Sequence, residues 1–186
     1  MNQTLQVIEK RYSCRHYSDE MPTNEQLEHI TRAALCAPSA VNRQPWQIVL
    51  VKNRGLIDEI QEEAMKILSQ MEDPTGYNRI MERGGLLFYN APCMLIIARP
   101  EDGSLGTSLD VGIVSSHIAL AAAAEGLGNV ICGFAALAFA GDKKEYFEKK
   151  LGFYDGYVFG MSVLTGHALQ TASPHTPDES KLSVIE

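Results

Sequence analysis

Tryptophan occurs once in the 186 residues and cysteine four times. No two of the cysteines, Cys14, Cys36, Cys93 and Cys132, form a C-x-x-C pair, and no H-x-x-x-H or H-E-x-x-H spacing occurs. A metal site therefore has no support, and reduced cysteines in a cytoplasmic protein are expected. Positive charge is scarce as well: Lys and Arg number 16 against 23 Asp and Glu, a net charge of −7. Such a surface repels phosphate backbones and anionic lipid, which argues against nucleic-acid and membrane-surface roles. The longest apolar stretch, 118–124, falls far short of a membrane span. Residues 1–10 lack the apolar core of a signal peptide, so none is expected. There is no Walker A loop. Gly126-Leu127-Gly128 sits between a predicted helix and a predicted strand, the reverse of a dinucleotide loop, and reads as a helix C-cap. Gly160-Met161-Ser162 lacks the second glycine of a nucleophile elbow. Ser116 and His117 are chain neighbours on a helical pattern and point apart, so a hydrolase has no positive evidence.

What the chain does have is the composition of one ordinary globular domain, 45% hydrophobic and 21% charged. A short helix is expected over 4–10 and a loop over 11–18. Thr23 to Gln26 forms a capping box for a helix ending near Ala37, before Pro38. Residues 47–51 read as a strand. Ile57, Ile60, Ala64, Ile67 and Met71 mark a long amphipathic helix that Pro74 and Gly76 break. The segment 79–89 is ambiguous between helix and loop. Residues 93–98 are a continuous apolar run, a buried strand. Thr107 and Asp110 pair as a cap for a helix rich in small residues, with Gly126 or Gly128 at its left-handed end. Strands are expected over 130–134 and 157–164, with a polar helix at 143–150 between them. Helices and strands mix without a βαβ rhythm, which favours an α+β fold. A polar tail then ends in the apolar Leu182-Ser183-Val184-Ile185, as though it docks elsewhere.

Two segments carry chemistry. In Arg11-Tyr12-Ser13-Cys14-Arg15 an extended backbone puts positions 11, 13 and 15 on one side. Two guanidinium forks and a hydroxyl would then face one anionic ligand, the alternative being a solvated basic patch. In Pro38-Ser39-Ala40-Val41-Asn42-Arg43-Gln44-Pro45-Trp46 two prolines stiffen a loop between helix and strand. Ser39, Asn42 and Gln44 there can donate and accept hydrogen bonds, and an Asn amide can pair with a ring edge showing N–H beside C=O. Trp46 reads as a core residue at the strand start.

Together these segments resemble the nitroreductase family: its Arg-x-Ser-x-Arg/Lys opening matches Arg11, Ser13 and Arg15, and its Pro-Ser-x-x-Asn-x-Gln-Pro-Trp loop matches 38–46 at every named position. The likeness covers nearly the whole chain and weakens after Gly128. It implies a single α+β domain over 1–186, with a central, mostly antiparallel mixed sheet flanked by helices. It further implies a homodimer in which the tail, 167–186, packs on the partner. The implied cofactor is FMN at the subunit interface, with NADH or NADPH as donor. The implied acceptors are nitroaromatics, quinones or similar small molecules, reduced in a two-step, ping-pong cycle. Carried over residue by residue, Arg11, Tyr12 and Ser13 fall at the phosphate and ribityl chain. Arg15 falls at the N1/O2 edge, where it stabilises developing negative charge. Asn42 falls at the N3/O4 edge, Gln44 among the cofactor-binding residues of the same loop, Pro38 and Ser39 against the ring from the partner, and the Gly133 backbone at N5. Cys132 stands where one branch of the family has Glu; its thiol either touches the flavin or fills core space. Relatives place Lys or Arg against the phosphate near the end of the chain, where His175 is the basic candidate here, with Lys181 further on. That makes FMN binding pH-dependent in the histidine range. A flavin carrier or sensor without turnover, and reductive dehalogenation on the same scaffold, are the alternatives. The short segment 71–89 argues for a small lid.

Overall fold

The computed structural model describes residues 2–185. Helix α1 (Gln3–Lys10) leads through an extended arm to α2 (Asn24–Leu35), and a loop with one 3-10 turn (Ala40–Asn42) leads to β1 (Gln47–Val51). Then follow α3 (Arg54–Ser69), α4 (Thr75–Glu82), β2 (Cys93–Pro100), α5 (Leu105–Ala124) and β3 (Gly128–Cys132). A 3-10 run (Gly133–Phe139), α6 (Lys144–Leu151) and β4 (Tyr157–Gly166) complete the body, before a tail with one 3-10 turn (Glu179–Lys181). The fold is α+β.

The four strands lie in the order β1-β2-β4-β3, and every pair is antiparallel. The parallel component expected of a mixed sheet is confined to one isolated bridge, Ser13 with Asn129. Strand β2 explains why its sequence is a continuous apolar run rather than an alternating one: Cys93 to Ala98 are all 0% exposed. Met94 and Ile96 face a core with Ile57, Ile60, Phe88 and Phe147, while Leu95 and Ile97 face a second with Ile30, Val114 and Ile118. Helix α3 and the 3-10 run therefore cover one face of the sheet, and α2 and α5 the other. Between Ile97 and Ala98 the pairing with β4 slips by one residue, leaving Gly160 as the extra one. A Cβ there would stand 2.8 Å from the Ile97 carbonyl oxygen, so the bulge requires glycine.

Several boundaries differ from the sequence reading. The α2 capping box is present, with Thr23 and Gln26 exchanging both bonds, but the helix stops at Leu35. Helix α5 starts at Ser104, whose hydroxyl accepts from the Thr107 N–H; Thr107 instead donates to Asp102. Gly126, with φ 75°, is its left-handed stop, and Gly128 is already in β3. That strand begins two residues earlier than expected and ends before Gly133. The long helix α3 ends at Ser69, before the expected break, and Thr75 and Gly76 open the next helix with Pro74 as its N-cap. Helix α5, 20 residues with a mean hydropathy of 1.3 in its most apolar window, is long and apolar enough to cross a membrane. In this fold it packs on β2, β3, β4, α1 and α2.

Candidate functional site

The arm between α1 and α2 lies flat along the β3 end of the sheet. The Cys14 N–H donates to the Asn129 carbonyl at 2.8 Å, the Ser18 N–H to that of His167 at 2.9 Å, and the Leu169 N–H to that of His16 at 3.0 Å. Two glycines opposite each other in the sheet, Gly128 and Gly166, make this approach feasible. A Cβ on Gly128 would stand 2.7 Å from the Cys14 sulfur, and one on Gly166 2.5 Å from Pro92 and 3.2 Å from the Tyr17 ring. Cys14 and Tyr17 are thereby buried, and the Tyr17 hydroxyl donates to the Cys14 carbonyl at 3.1 Å. Burial pushes the Tyr17 phenol well above its ordinary range and the Cys14 thiol upward too. The anchored residues are thus unreactive pegs, and the residues between them face outward.

Arg11, Tyr12, Ser13, Arg15 and His175 come together around one hollow of about 240 Å³, which Ala172 and Ser173 of the tail help to close. Among the described residues no carboxylate lines it. Among the described residues neither Arg11 nor Arg15 forms an ion pair, although the chain is strongly acidic. Two uncompensated guanidiniums, a hydroxyl and an imidazole suit a phosphate. Arg15 also borders a second hollow, of about 120 Å³, with Arg83, Tyr89 and Asn90. Tyr89 and Asn90 both hold positive φ, 54° and 62°, a costly pairing that places their side chains here. Arg83, likewise without an ion pair among the described residues, was not legible in the sequence: it follows α4, in a segment that gave no clear periodicity.

The loop at 38–45 is held from below. Asp110 on α5, 3% exposed, accepts from the Ala40 N–H at 3.3 Å, and the Ser39 hydroxyl accepts from the Gln44 N–H at 2.9 Å. Val41, Asn42 and Gln44 all have positive φ, which is rare for a β-branched residue such as Val41. Gln44 donates through its amide to Asn42 Oδ1 at 3.0 Å, while Pro38, Asn42 and Gln44 are exposed. Trp46 is buried in the second core, as a strand-start core residue should be.

At the far end of β3, Cys132 and Gly133 part ways. Cys132 is 6% exposed, its thiol packed in the core and pushed upward by burial, with the Phe134 and Ala135 amides directed at it. Its side chain serves packing. Gly133 is exposed, and a Cβ there would meet nothing within 4 Å, so it fronts open space. The Ser13 bridge to Asn129 is parallel, so the arm runs in the same direction as β3, toward that end of the strand.

One protomer does not bring the two motifs together. The loop at 38–45 enters β1 at one edge of the sheet, and the arm lies along β3 at the other. Three strand spacings separate those edges, roughly 14 Å.

Comparison with known proteins adds the following. A family model described as the nitroreductase family matches residues 8–167. A nitroreductase from Desulfitobacterium hafniense DCB-2, crystallised with bound FMN, is 49% identical and superposes with a TM-score of 0.98 over 100% of both chains. A protein of Methanothermobacter thermautotrophicus, provisionally named an NADH dehydrogenase/NAD(P)H nitroreductase, is 31% identical over 69% of this chain and 60% of its own length. The chain thus spans less than two thirds of that curated relative. A nitroreductase with bound FMN from Bacteroides fragilis NCTC 9343, 19% identical, shares the fold with a TM-score of 0.88 over 100% of both chains.

Proposed function

The chain belongs to the nitroreductase family, and on that premise we propose that it is an FMN-dependent NAD(P)H oxidoreductase. The hollow where Arg11, Ser13, Arg15 and His175 meet, with no carboxylate among the described residues that line it, is the observation that carries this reading. When bound, FMN supplies the redox chemistry, accepting a hydride from NADH or NADPH and passing electrons to a nitroaromatic, quinone or similar acceptor in a second half-reaction at the same site. The chain's residues bind, orient and polarise. Arg11 and Ser13 grip the phosphate and ribityl chain, with Tyr12 beside them. His175 contributes a charge there only when protonated. Arg15, bordering both hollows, would stand with Arg83 beside the ring, where fixed positive charge would favour the negative charge gained on reduction. Gly133 leaves its backbone open to the ring. Pro38, Ser39, Asn42 and Gln44 meet the ring from a second copy, because their loop stands at the other edge of their own sheet.

A homodimer is part of the proposal. Leu105, Leu109 and Ile113 form a stripe on α5 that is 75%, 60% and 37% exposed, and Leu5 and Ile8 on α1 are open as well. Such a patch marks an interface. Strand β1 has a free edge, and while the tail as far as His175 lies on the arm of its own chain, Leu182, Val184 and Ile185 are uncovered, so the end of each tail packs on the partner. All four cysteines are free, in keeping with a reducing compartment such as the cytoplasm.

The test is an absorbance spectrum of the purified protein followed by stopped-flow reduction with NADH and NADPH. A flavin spectrum bleached by either donor, and restored by a nitroaromatic or quinone, is expected. Arg15→Ala is expected to slow flavin reduction more than it weakens FMN binding; unchanged reduction kinetics would remove its assigned role. A yellow protein that no acceptor turns over would establish the carrier instead.

A further inference from the structure

Arg11 and Tyr12 also line a second and larger hollow, of about 430 Å³, between α1, the end of α5 and the start of β3. Its size falls in the range of small-molecule sites. Val7, Ala123 and Leu127 give it an apolar wall, and Lys10 stands with Arg11 at its rim. Neither cation forms an ion pair among the described residues. Asn129 is 2% exposed, and its Oδ1 is buried without a hydrogen-bond partner. The arm bonds to the backbone carbonyl of Asn129, and among the described residues nothing donates to its side-chain oxygen. A buried acceptor without a donor is costly, and it calls for a ligand that brings one.

We infer that this hollow takes the adenylate half of the dinucleotide donor. The inference rests on the oxidoreductase reading above. An Asn amide matches the N6-H₂/N7 edge of adenine, donor to acceptor and acceptor to donor. The apolar wall suits the flat ring. Lys10 and Arg11 meet the phosphate. Arg11 is common to this hollow and to the one assigned to the cofactor phosphate, so a donor whose nicotinamide lies on the ring extends back along the cofactor into it. On α1 the hollow takes residues 3, 6, 7 and 10, one helical face, whereas Leu5 and Ile8 lie on the opposite face. A partner covering Leu5 and Ile8 leaves the hollow open.

The experiment uses FMN-loaded protein and two donors: the dinucleotide it oxidises faster, and 1-methyl-1,4-dihydronicotinamide, which lacks the adenylate. Calorimetric titration with 5′-AMP gives a readout independent of turnover. AMP is expected to bind and to compete with the dinucleotide. Asn129→Ala and Lys10→Glu are each expected to raise the dinucleotide KM about tenfold, as loss of one charged or buried hydrogen bond implies. Both weaken AMP binding in step, and both leave turnover with the truncated donor unchanged. Lys10 is exposed, so its variant decides the matter if Asn129→Ala fails to fold. Failure of AMP to bind, non-competitive inhibition by AMP, or variants that leave the dinucleotide KM unmoved or alter both donors alike would each overturn the inference. If the truncated donor also fails to reduce the unmodified protein, it is the oxidoreductase reading that falls, and the AMP titration still reports on the hollow.

Discussion

Gly128→Ala tests the link between the sheet and the anion site. The new methyl carbon would lie 2.7 Å from the Cys14 sulfur and 2.9 Å from its Cβ. Comfortable contacts begin at roughly 3.5 Å, so the arm must withdraw by about 1 Å. That movement stretches the Cys14 amide bond to Asn129, now 2.8 Å, beyond hydrogen-bonding range. Overpacking of this kind costs about 1–3 kcal/mol. In a chain of this size the melting temperature falls by roughly 4–8 °C for a loss near the middle of that range. Ser13 and Arg15 flank Cys14 and move with it, so FMN affinity is expected to fall about 10- to 100-fold, the scale of a 1 Å misplacement. Quenching of flavin fluorescence on titration of apoprotein measures the affinity, and a thermal melt of the same apoprotein measures the stability. Cys14→Gly removes both clashing atoms, so the double variant is expected to bind FMN more tightly than Gly128→Ala alone. Wild-type affinity and melting temperature in Gly128→Ala, or no recovery in the double variant, would refute the account of how the arm is seated.

Three further expectations follow from named contacts. Glu63, 3% exposed, binds Lys143 at 3.0 Å and Lys66 at 3.2 Å, and the Lys143 bond holds its carboxyl below the usual glutamate range. Glu63→Gln is expected to cost about 1–3 kcal/mol at neutral pH. Because the folded value is depressed, that stabilisation is present above the unfolded value of roughly 4.3 and is lost as pH falls through the folded one. Melts of both proteins from pH 7 to pH 3 are expected to converge, and a constant gap would contradict the pairing. Arg83→Ala removes a guanidinium that the fold does not pair, so the apoprotein melt stays within about 0.5 kcal/mol of wild type. FMN affinity drops meanwhile, by several-fold at low salt and less at high salt; a lower melting temperature with unchanged affinity would make Arg83 structural. Leu109→Glu adds charge to an exposed position and is harmless to a lone protomer, yet sedimentation is expected to show loss of the dimer together with loss of bound FMN. A dimer that persists would move the interface elsewhere.

Much of this was legible in the chain because local chemistry and global fold agree there. The α2 capping box follows from a few adjacent residues whose hydrogen bonds close locally, and the β1 strand from an apolar run bounded by a turn-rich loop. That Arg11, Ser13 and Arg15 border one hollow was legible for another reason: alternate residues of an extended arm face one way whatever the arm rests on. What escaped depends on distant partners. Gly128 reads as a helix stop until Cys14, far earlier in the chain, is seen pressed on it. The first two residues of the 3-10 run, Gly133 and Phe134, read as the end of a strand, since an apolar residue there packs equally well in either form. Arg83 carries no local signal at all, and only the fold brings it to a hollow that Arg15 also lines. The unclaimed Asn129 amide is equally silent, because whether a polar group is satisfied is a property of the folded neighbourhood.

The placement of the loop and the arm at opposite margins of one sheet has a genetic consequence. In the proposed dimer each reaction centre draws on two copies of the chain. A protomer damaged at Arg15 still lends an intact loop, and one damaged at Asn42 still lends an intact arm. Co-expression of two inactive alleles, one altered at each position, therefore regenerates a working centre in every mixed pair, while either allele alone stays silent.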